Sequence, residues 1–275
     1  MSLFISSINS GSNGNCYYVG NNKDAVLIDV GLSCREIEKR MLRSGLSIKK
    51  VRAIFISHEH IDHIRGIETI SKKYDLPVYI NEKTYANGRI KLKEELIHSF
   101  SDEEKISIGS LEVIPFFKSH DAADPYSFSI EYNEIRVGVF TDIGHVCEKL
   151  VHHFSRCHAA ILEANYDEEM LENGRYPVYL KNRIRSAHGH LSNAQALELF
   201  VNHRSEFLSC LLLAHLSKEN NSPQLVHELF TAHTEGTEII VASRYEESAV
   251  FNIGKNKKKA HELIAQPGQQ TTLSF

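Results

Sequence analysis

The 275-residue chain has 42% apolar and 24% charged residues and a formal charge of −4, enough apolar material for a sizeable core. This excludes general disorder, a globally basic nucleic-acid coat and, without a run of roughly 20 apolar residues, a membrane-spanning helix. Five scattered cysteines with no CxxC pair, and no basic-then-apolar leader at the N-terminus, point to a reducing, cytoplasmic setting.

In chain order, Leu3–Ile8 and Ala25–Val30 read as short strands separated by Gly and Asn clusters. Ser33 with Glu36 forms a capping box for a helix carrying Ile37, Met41 and Leu42, and Gly45 suits its C-terminal turn. Val51–Ser57 is an apolar strand of the kind buried on both faces. A histidine-rich segment follows it, then a helix over Ile64–Tyr74. Leu111–Phe117, Ser127–Tyr132 and Ile135–Thr141 read as consecutive strands, with Asn133 and Glu134 turning a hairpin. Ala159–Glu163 is a strand, and Ser192 to Gln195 cap a helix through Val201. Leu208–Ala214 is a strand, Pro223–His233 a helix and Glu238–Ala242 the last strand. These elements predict one α/β (α+β) domain over residues 1–265, with 266–275 as a flexible C-terminal tail.

Sixteen histidines are the compositional oddity, and histidine is the commonest metal ligand. His58, His60, Asp62 and His63 lie within six residues directly after the apolar strand. Histidines at i and i+2 can share one metal while Asp62 and His63 turn toward a second. Such a loop supplies only part of two coordination shells. His120, Asp142 and His215 each follow an apolar strand, where a ligand leaves the core for a cleft at the sheet end. Seven nitrogen and oxygen ligands without a thiolate suit Zn²⁺ and Mn²⁺ alike.

The HxHxDH loop, followed by a His, an Asp and a late His after strands, resembles the metallo-β-lactamase superfamily. That resemblance implies an αβ/βα four-layer sandwich with a dinuclear metal site at one edge. His58, His60 and His120 would hold one ion, Asp62, His63 and His215 the other, and Asp142 would bridge them. Two such ions acidify a shared water and neutralise charge on a phosphoryl oxygen during in-line attack. Ser186 through Asn193, SAHGHLSN, is similar to the histidine motif of tRNase Z and RNase J-like nucleases. By that likeness His190 protonates the leaving oxygen and Glu163, in LEAN, orients it. Asp62, His190 and Glu163 are thus the candidate catalytic residues.

The segments SGSNGNCYYV (10–19), HEHIDHIRG (58–66), SHDAADP (119–125), LEANYDEEML (162–171) and AHLSKENNSP (214–223) resemble the YycJ/WalJ family of bacterial nucleases. The resemblance implies a metal-dependent DNase, a 5′→3′ exonuclease acting on DNA, with RNA as an alternative substrate. Only 73 residues separate Asp142 from His215, too few for the domain that RNase J inserts there. Ser10, Ser12 and Asn13 in the Gly-rich loop, Ser192, and Ser217, Asn220 and Asn221 after His215 are candidate substrate-binding donors. Lys181–Arg185 and Lys255–Lys259 are candidate basic contacts. Gln270 to Phe275, QTTLSF, resembles the peptide recognised by the bacterial sliding clamp. Two other readings stay open: a small-molecule phosphodiesterase using the same site, and a non-catalytic regulator that holds metal structurally.

Overall fold

The computed structural model describes residues 2–254. The basic run at 255–259, the domain boundary expected at 265 and the clamp-like tail at 270–275 lie outside the described residues. Among the described residues, fourteen strands form two seven-stranded sheets. The first sheet runs β14 (Phe251–Gly254), β1 (Ser2–Asn9), β2 (Cys16–Gly20), β3 (Ala25–Ile28), β4 (Val51–Phe55), β5 (Val78–Tyr79) and β6 (Ile97–His98). The second runs β13 (Glu238–Val241), β12 (Cys210–Ala214), β11 (Ala159–Glu163), β10 (Ile135–Phe140), β9 (Tyr126–Tyr132), β8 (Leu111–Phe117) and β7 (Ile106–Ile108).

Side-chain alternation makes the layers. In β12, Cys210, Leu212 and Ala214 join the core between the sheets, whereas Leu211 and Leu213 pack outward. That outer face is covered by helices α5 (Glu148–Phe154), α8 (Asn193–His203) and α9 (Pro223–Thr231) through Phe154, Leu199, Phe200 and Phe230. The first sheet is covered on its outer face by α1 (Cys34–Arg43) and α3 (Ile67–Tyr74), through Ile37, Met41, Ile67 and Ile70. Helix, sheet, sheet, helix is the four-layer arrangement expected.

Local signals explain most boundaries. Ser192 caps α8 in a complete capping box with Gln195. Asn133 and Glu134 turn the β9–β10 hairpin with φ of 47° and 67°, the left-handed pair that a tight two-residue turn needs. Three expectations need correction. Ser33 does cap α1, but Glu36 does not reach back; its carboxylate takes the Arg40 guanidinium at 2.9 Å instead. The helix expected over 64–74 is two, α2 (Ile61–Ile64) and α3. Gly66 separates them and presses on the loop after β3, where a Cβ would stand 2.1 Å from the Leu32 carbonyl oxygen. Finally, Glu238–Val241 is not the last strand, because β14 returns to pair antiparallel with β1.

Candidate metal centre

The site lies where strands of both sheets end. Beyond β4, Ser57 and His58 are buried, and the loop through His63 is sewn to its neighbours by backbone bonds. The Asn15 N–H donates to the Asp62 carbonyl at 2.7 Å and the Val30 N–H to the His63 carbonyl at 2.8 Å. Gly31 lets these chains meet, since a Cβ there would lie 1.7 Å from the Asp62 oxygen. Asp29 after β3, Asp142 after β10 and His215 after β12 all have left-handed φ, at 59°, 55° and 57°. Three non-glycine residues in that costly conformation at strand ends concentrate strain at one place.

Each of four buried imidazoles has Nδ1 tied to the protein. His58 Nδ1 meets Ser57 Oγ at 2.9 Å and His63 Nδ1 meets Asp29 Oδ2 at 2.7 Å. His120 Nδ1 meets the Gly189 carbonyl at 3.0 Å and His215 Nδ1 meets Glu163 Oε1 at 3.0 Å. Such partners fix tautomer and ring orientation and leave Nε2 for a metal. His120 Nε2, His215 Nε2 and Asp142 Oδ2 are buried without any hydrogen-bond partner, an arrangement that costs free energy unless something fills it.

Donor spacing fits an ion. His63 Nε2 lies 3.5 Å from Asp62 and 3.4 Å from Asp142, and His215 Nε2 lies 3.8 Å and 3.4 Å from the same carboxylates. His58 Nε2 is 3.0 Å from His60 Nδ1. Two donors bound tetrahedrally at 2.0–2.1 Å would stand about 3.4 Å apart. Two triads emerge, His58 with His60 and His120, and Asp62 with His63 and His215; Asp142 groups with His58 and His63 and also with His215. All seven residues expected as ligands therefore converge, and the clusters suit divalent metal ions.

The electrostatics are those of a site built for cations. Burial opposes ionisation of Asp62 and Asp142, but the surrounding imidazoles hold both well below the usual carboxylate range. Burial likewise disfavours charge on His63, yet Asp142, Asp29 and Asp62 outweigh it and push the ring up to about 10. Burial wins at His58, whose ring is lowered, and at His120, brought down to about 4.

His190 stands beside this cluster, about one-fifth exposed, with ring centroids 5.1 Å from His120 and 5.2 Å from His215. Its Nδ1 meets Glu163 Oε1 at 2.7 Å, which leaves Nε2 as the ring nitrogen available to a ligand. Glu163 is fully buried, shares Oε1 with His215 Nδ1, and accepts the Ile143 N–H on Oε2 at 2.6 Å. A cavity of about 310 Å³ opens here, lined by His60, Asp62, His120, Asp142, His190 and His215.

The expected substrate-binding residues divide. Ser12 and Ser217 line the cavity. The structure does not bring the other five to its wall. Ser10 is buried, where its hydroxyl accepts the His215 N–H at 2.7 Å. Asn13 points to the Arg244 carbonyl. Ser192 is spent on its cap and on Glu168, Asn220 is fully buried, and Asn221 bonds the Ala164 and Asn165 carbonyls.

Two residues of the site escaped the sequence reading. Lys118 is buried, with Nζ donating to the Thr141 carbonyl at 2.6 Å, and burial lowers its ammonium pKa. Its signal was available: a lysine two residues before His120 at the end of an apolar strand. Asp29 takes the Ser57 N–H, the Ser57 hydroxyl and His63 Nδ1 at 2.7–2.8 Å. Asp29→Asn must aim an amide N–H₂ at one of those donors. The expected result is roughly 10–100-fold weaker metal binding, measured by competition with a chelating dye.

Comparison with known proteins agrees with this geometry. Residues 10–171 match the family described as the metallo-beta-lactamase superfamily. The chain is 37% identical over 230 residues to the exodeoxyribonuclease YycJ of Bacillus anthracis, covering 82% of this chain and 86% of that protein. It is 33% identical over 223 residues to the exodeoxyribonuclease WalJ of Streptococcus pneumoniae, covering 79% and 83%. The fold is similar to that of the metallo-beta-lactamase fold protein YhfI of Bacillus subtilis, with a TM-score of 0.71, 15% identity, and coverage of 91% and 99%. The chain belongs to the metallo-β-lactamase superfamily and, within it, to the YycJ/WalJ family.

Proposed function

We infer that this protein is a metal-dependent nuclease that removes nucleotides from DNA, working 5′→3′ with two divalent ions, Zn²⁺ or Mn²⁺. The observation that carries the reading is the position of His190. It is held by a buried carboxylate in a cavity also lined by His120, His215 and Asp142, whose Nε2, Nε2 and Oδ2 atoms are buried without a hydrogen-bond partner. The names of the YycJ and WalJ relatives supply the substrate class.

His58, His60 and His120 would hold one ion, Asp62, His63 and His215 the second, and Asp142 both. When bound, the ions acidify water and neutralise charge building on the phosphoryl oxygens. The chain's own residues do the rest. Glu163 fixes the His190 ring with Nδ1 as donor, and His190 delivers a proton from Nε2 to the leaving oxygen. Asp29, Ser57, Gly189 and Glu163 hold the ligating rings in place. Ser12 and Ser217 offer hydroxyls to the phosphate from the cavity wall. No helix among the described residues is long and apolar enough to cross a membrane. The tail at 270–275 would bring the enzyme to DNA-bound sliding clamp, and a tail peptide with no clamp affinity at high micromolar concentration would remove that part.

The cavity volume of about 310 Å³, at the lower end for ligand pockets, favours a second reading, hydrolysis of a small phosphodiester. Rates on DNA, matched RNA and bis-p-nitrophenyl phosphate separate the two. DNA cleavage at a kcat/KM at least tenfold above the small diester is expected. Turnover of the small diester alone would establish the second reading.

A further inference from the structure

Arg244, in the loop after β13, carries a guanidinium that the catalytic account leaves unused. Its Nη2 donates to the Ser12 hydroxyl at 3.1 Å, and its Nη1 is buried without a hydrogen-bond partner. No carboxylate among the described residues pairs with it, although Glu246 and Glu247 follow in sequence; Glu247 takes Arg43 instead. An arginine kept for stability alone gains most from two-point contact with a carboxylate. This one is spent on a serine, and a buried N–H left without a partner costs free energy.

The serine can pass that contact on to a ligand. Ser12 lines the cavity together with Asp62, His215 and Ser217. Arginine offers donors and no acceptor, so the Ser12 oxygen accepts and its own proton stays unspent. No group among the described residues takes that proton. Ser217 is in the same state, its oxygen accepting the Asn220 N–H at 3.2 Å. The two loops are joined: the His215 N–H donates to the Ser10 hydroxyl at 2.7 Å. A Cβ on Gly11 would stand 3.5 Å from the Leu216 carbonyl oxygen and 3.7 Å from Arg244 Nη2, so both loops and the guanidinium meet at one point. Asn13 Nδ2 donates to the Arg244 carbonyl at 2.7 Å, a bond to the backbone that survives replacement of the Arg244 side chain.

We propose that Ser12 and Ser217 form a phosphate subsite of the cavity and that Arg244 is its positioning residue, holding the Ser12 hydroxyl as a donor toward the anion. The proposal rests on the nuclease reading and deepens it by assigning the residue that sets the polarity of this wall. Asp62, Asp121 and Asp142 also line the cavity, and carboxylates repel a phosphate oxygen. Two hydroxyl protons on adjoining loops give that oxygen a defined place. A hydroxyl that accepts from a cation is polarised and donates more strongly, which is what an arginine free of any carboxylate supplies. The bound group is a phosphate oxygen, whether of a 5′-terminal phosphate or of the diester being cut, and substrates that differ only at the 5′ end tell these apart.

The test uses steady-state kinetics of the metal-loaded full chain on duplex DNA with a 5′-phosphate, the same duplex with a 5′-hydroxyl, and bis-p-nitrophenyl phosphate. Ser12→Ala and Arg244→Ala should each raise KM on the phosphorylated duplex about tenfold or more, the worth of a hydrogen bond to a charged group. Metal content should stay that of wild type. The double variant should be no worse than either single one, because both remove the same donor, and Arg244→Lys should recover part of the loss. Ser217→Ala should add its own increase to that of Arg244→Ala. A penalty confined to the phosphorylated duplex places the terminal phosphate in the subsite; an equal penalty on both duplexes places the diester there. Unchanged KM in Arg244→Ala on every substrate would overturn the proposal. So would Ser12 and Arg244 penalties that multiply in full, since Arg244 would then not act through the hydroxyl. If wild type hydrolyses bis-p-nitrophenyl phosphate and neither duplex, the nuclease reading itself fails, and the subsite is then judged by the KM of the same variants on the small diester.

Discussion

Asp142→Ala is expected to strip the protein of metal and of hydrolytic activity together. Asp142 is buried at the end of β10, held at a left-handed φ, with oxygens 3.4–3.8 Å from the Nε2 atoms of His63, His120 and His215. It belongs with ligands of both triads. Deleting it therefore weakens both positions. The loss of affinity should exceed the roughly 10–100-fold that follows removal of a supporting partner, and activity should fall below about 10⁻³ of wild type. Metal content by mass spectrometry, read beside turnover, checks this. Asp142→Asn, close in volume, guards against a packing artefact and should fail in the same way. Full metal occupancy in both variants would remove Asp142 from the ligand set.

His190→Ala should behave differently: metal retained, kcat lowered by roughly 10²–10⁴. The distinction follows from position. His190 lies on the cavity wall with Nδ1 taken by Glu163 Oε1 at 2.7 Å, and it belongs to neither of the two triads. Glu163→Gln should damage both properties in part, since the same Oε1 serves His190 and His215. Burial opposes the Glu163 charge, but His190 and His215 bring its pKa from 4.5 down to about 2. A carboxylate depressed in the folded state contributes stability that is complete above its unfolded pKa and lost as pH falls through the folded one. The brace thus stays ionised at neutral pH, and its loss belongs to the window between pH 4.5 and about 2. Metal loss in His190→Ala would instead make it a ligand.

The candidate ligands were legible because four of them sit in six residues and the others follow apolar strands, so chain order alone placed them at strand ends. The helices α1 and α8 were legible through Ser33 and Ser192, whose caps are local chemistry. What escaped depends on contacts far apart in sequence. Asp29 became part of the site only because β3 lies beside β4 and brings it to His63. β14 is a strand because β1, some 250 residues earlier, offers an edge. Ser192, Asn220 and Asn221 look like substrate donors in a list of polar residues near ligands. Ser192 is spent instead on the α8 cap, Asn221 on loop carbonyls and on Asn193, and Asn220 is buried away from the cavity. The break at Gly66 reflects a close approach to Leu32, which no periodicity reports.

The most direct measurement follows label release from 5′-³²P-labelled DNA by metal-loaded protein, with chelated protein and His190→Ala beside it. Labelled mononucleotide should appear from the first minutes, vanish on chelation, and fall at least a hundredfold in His190→Ala. Metal-loaded protein that turns over bis-p-nitrophenyl phosphate while the DNA stays intact would contradict the assignment.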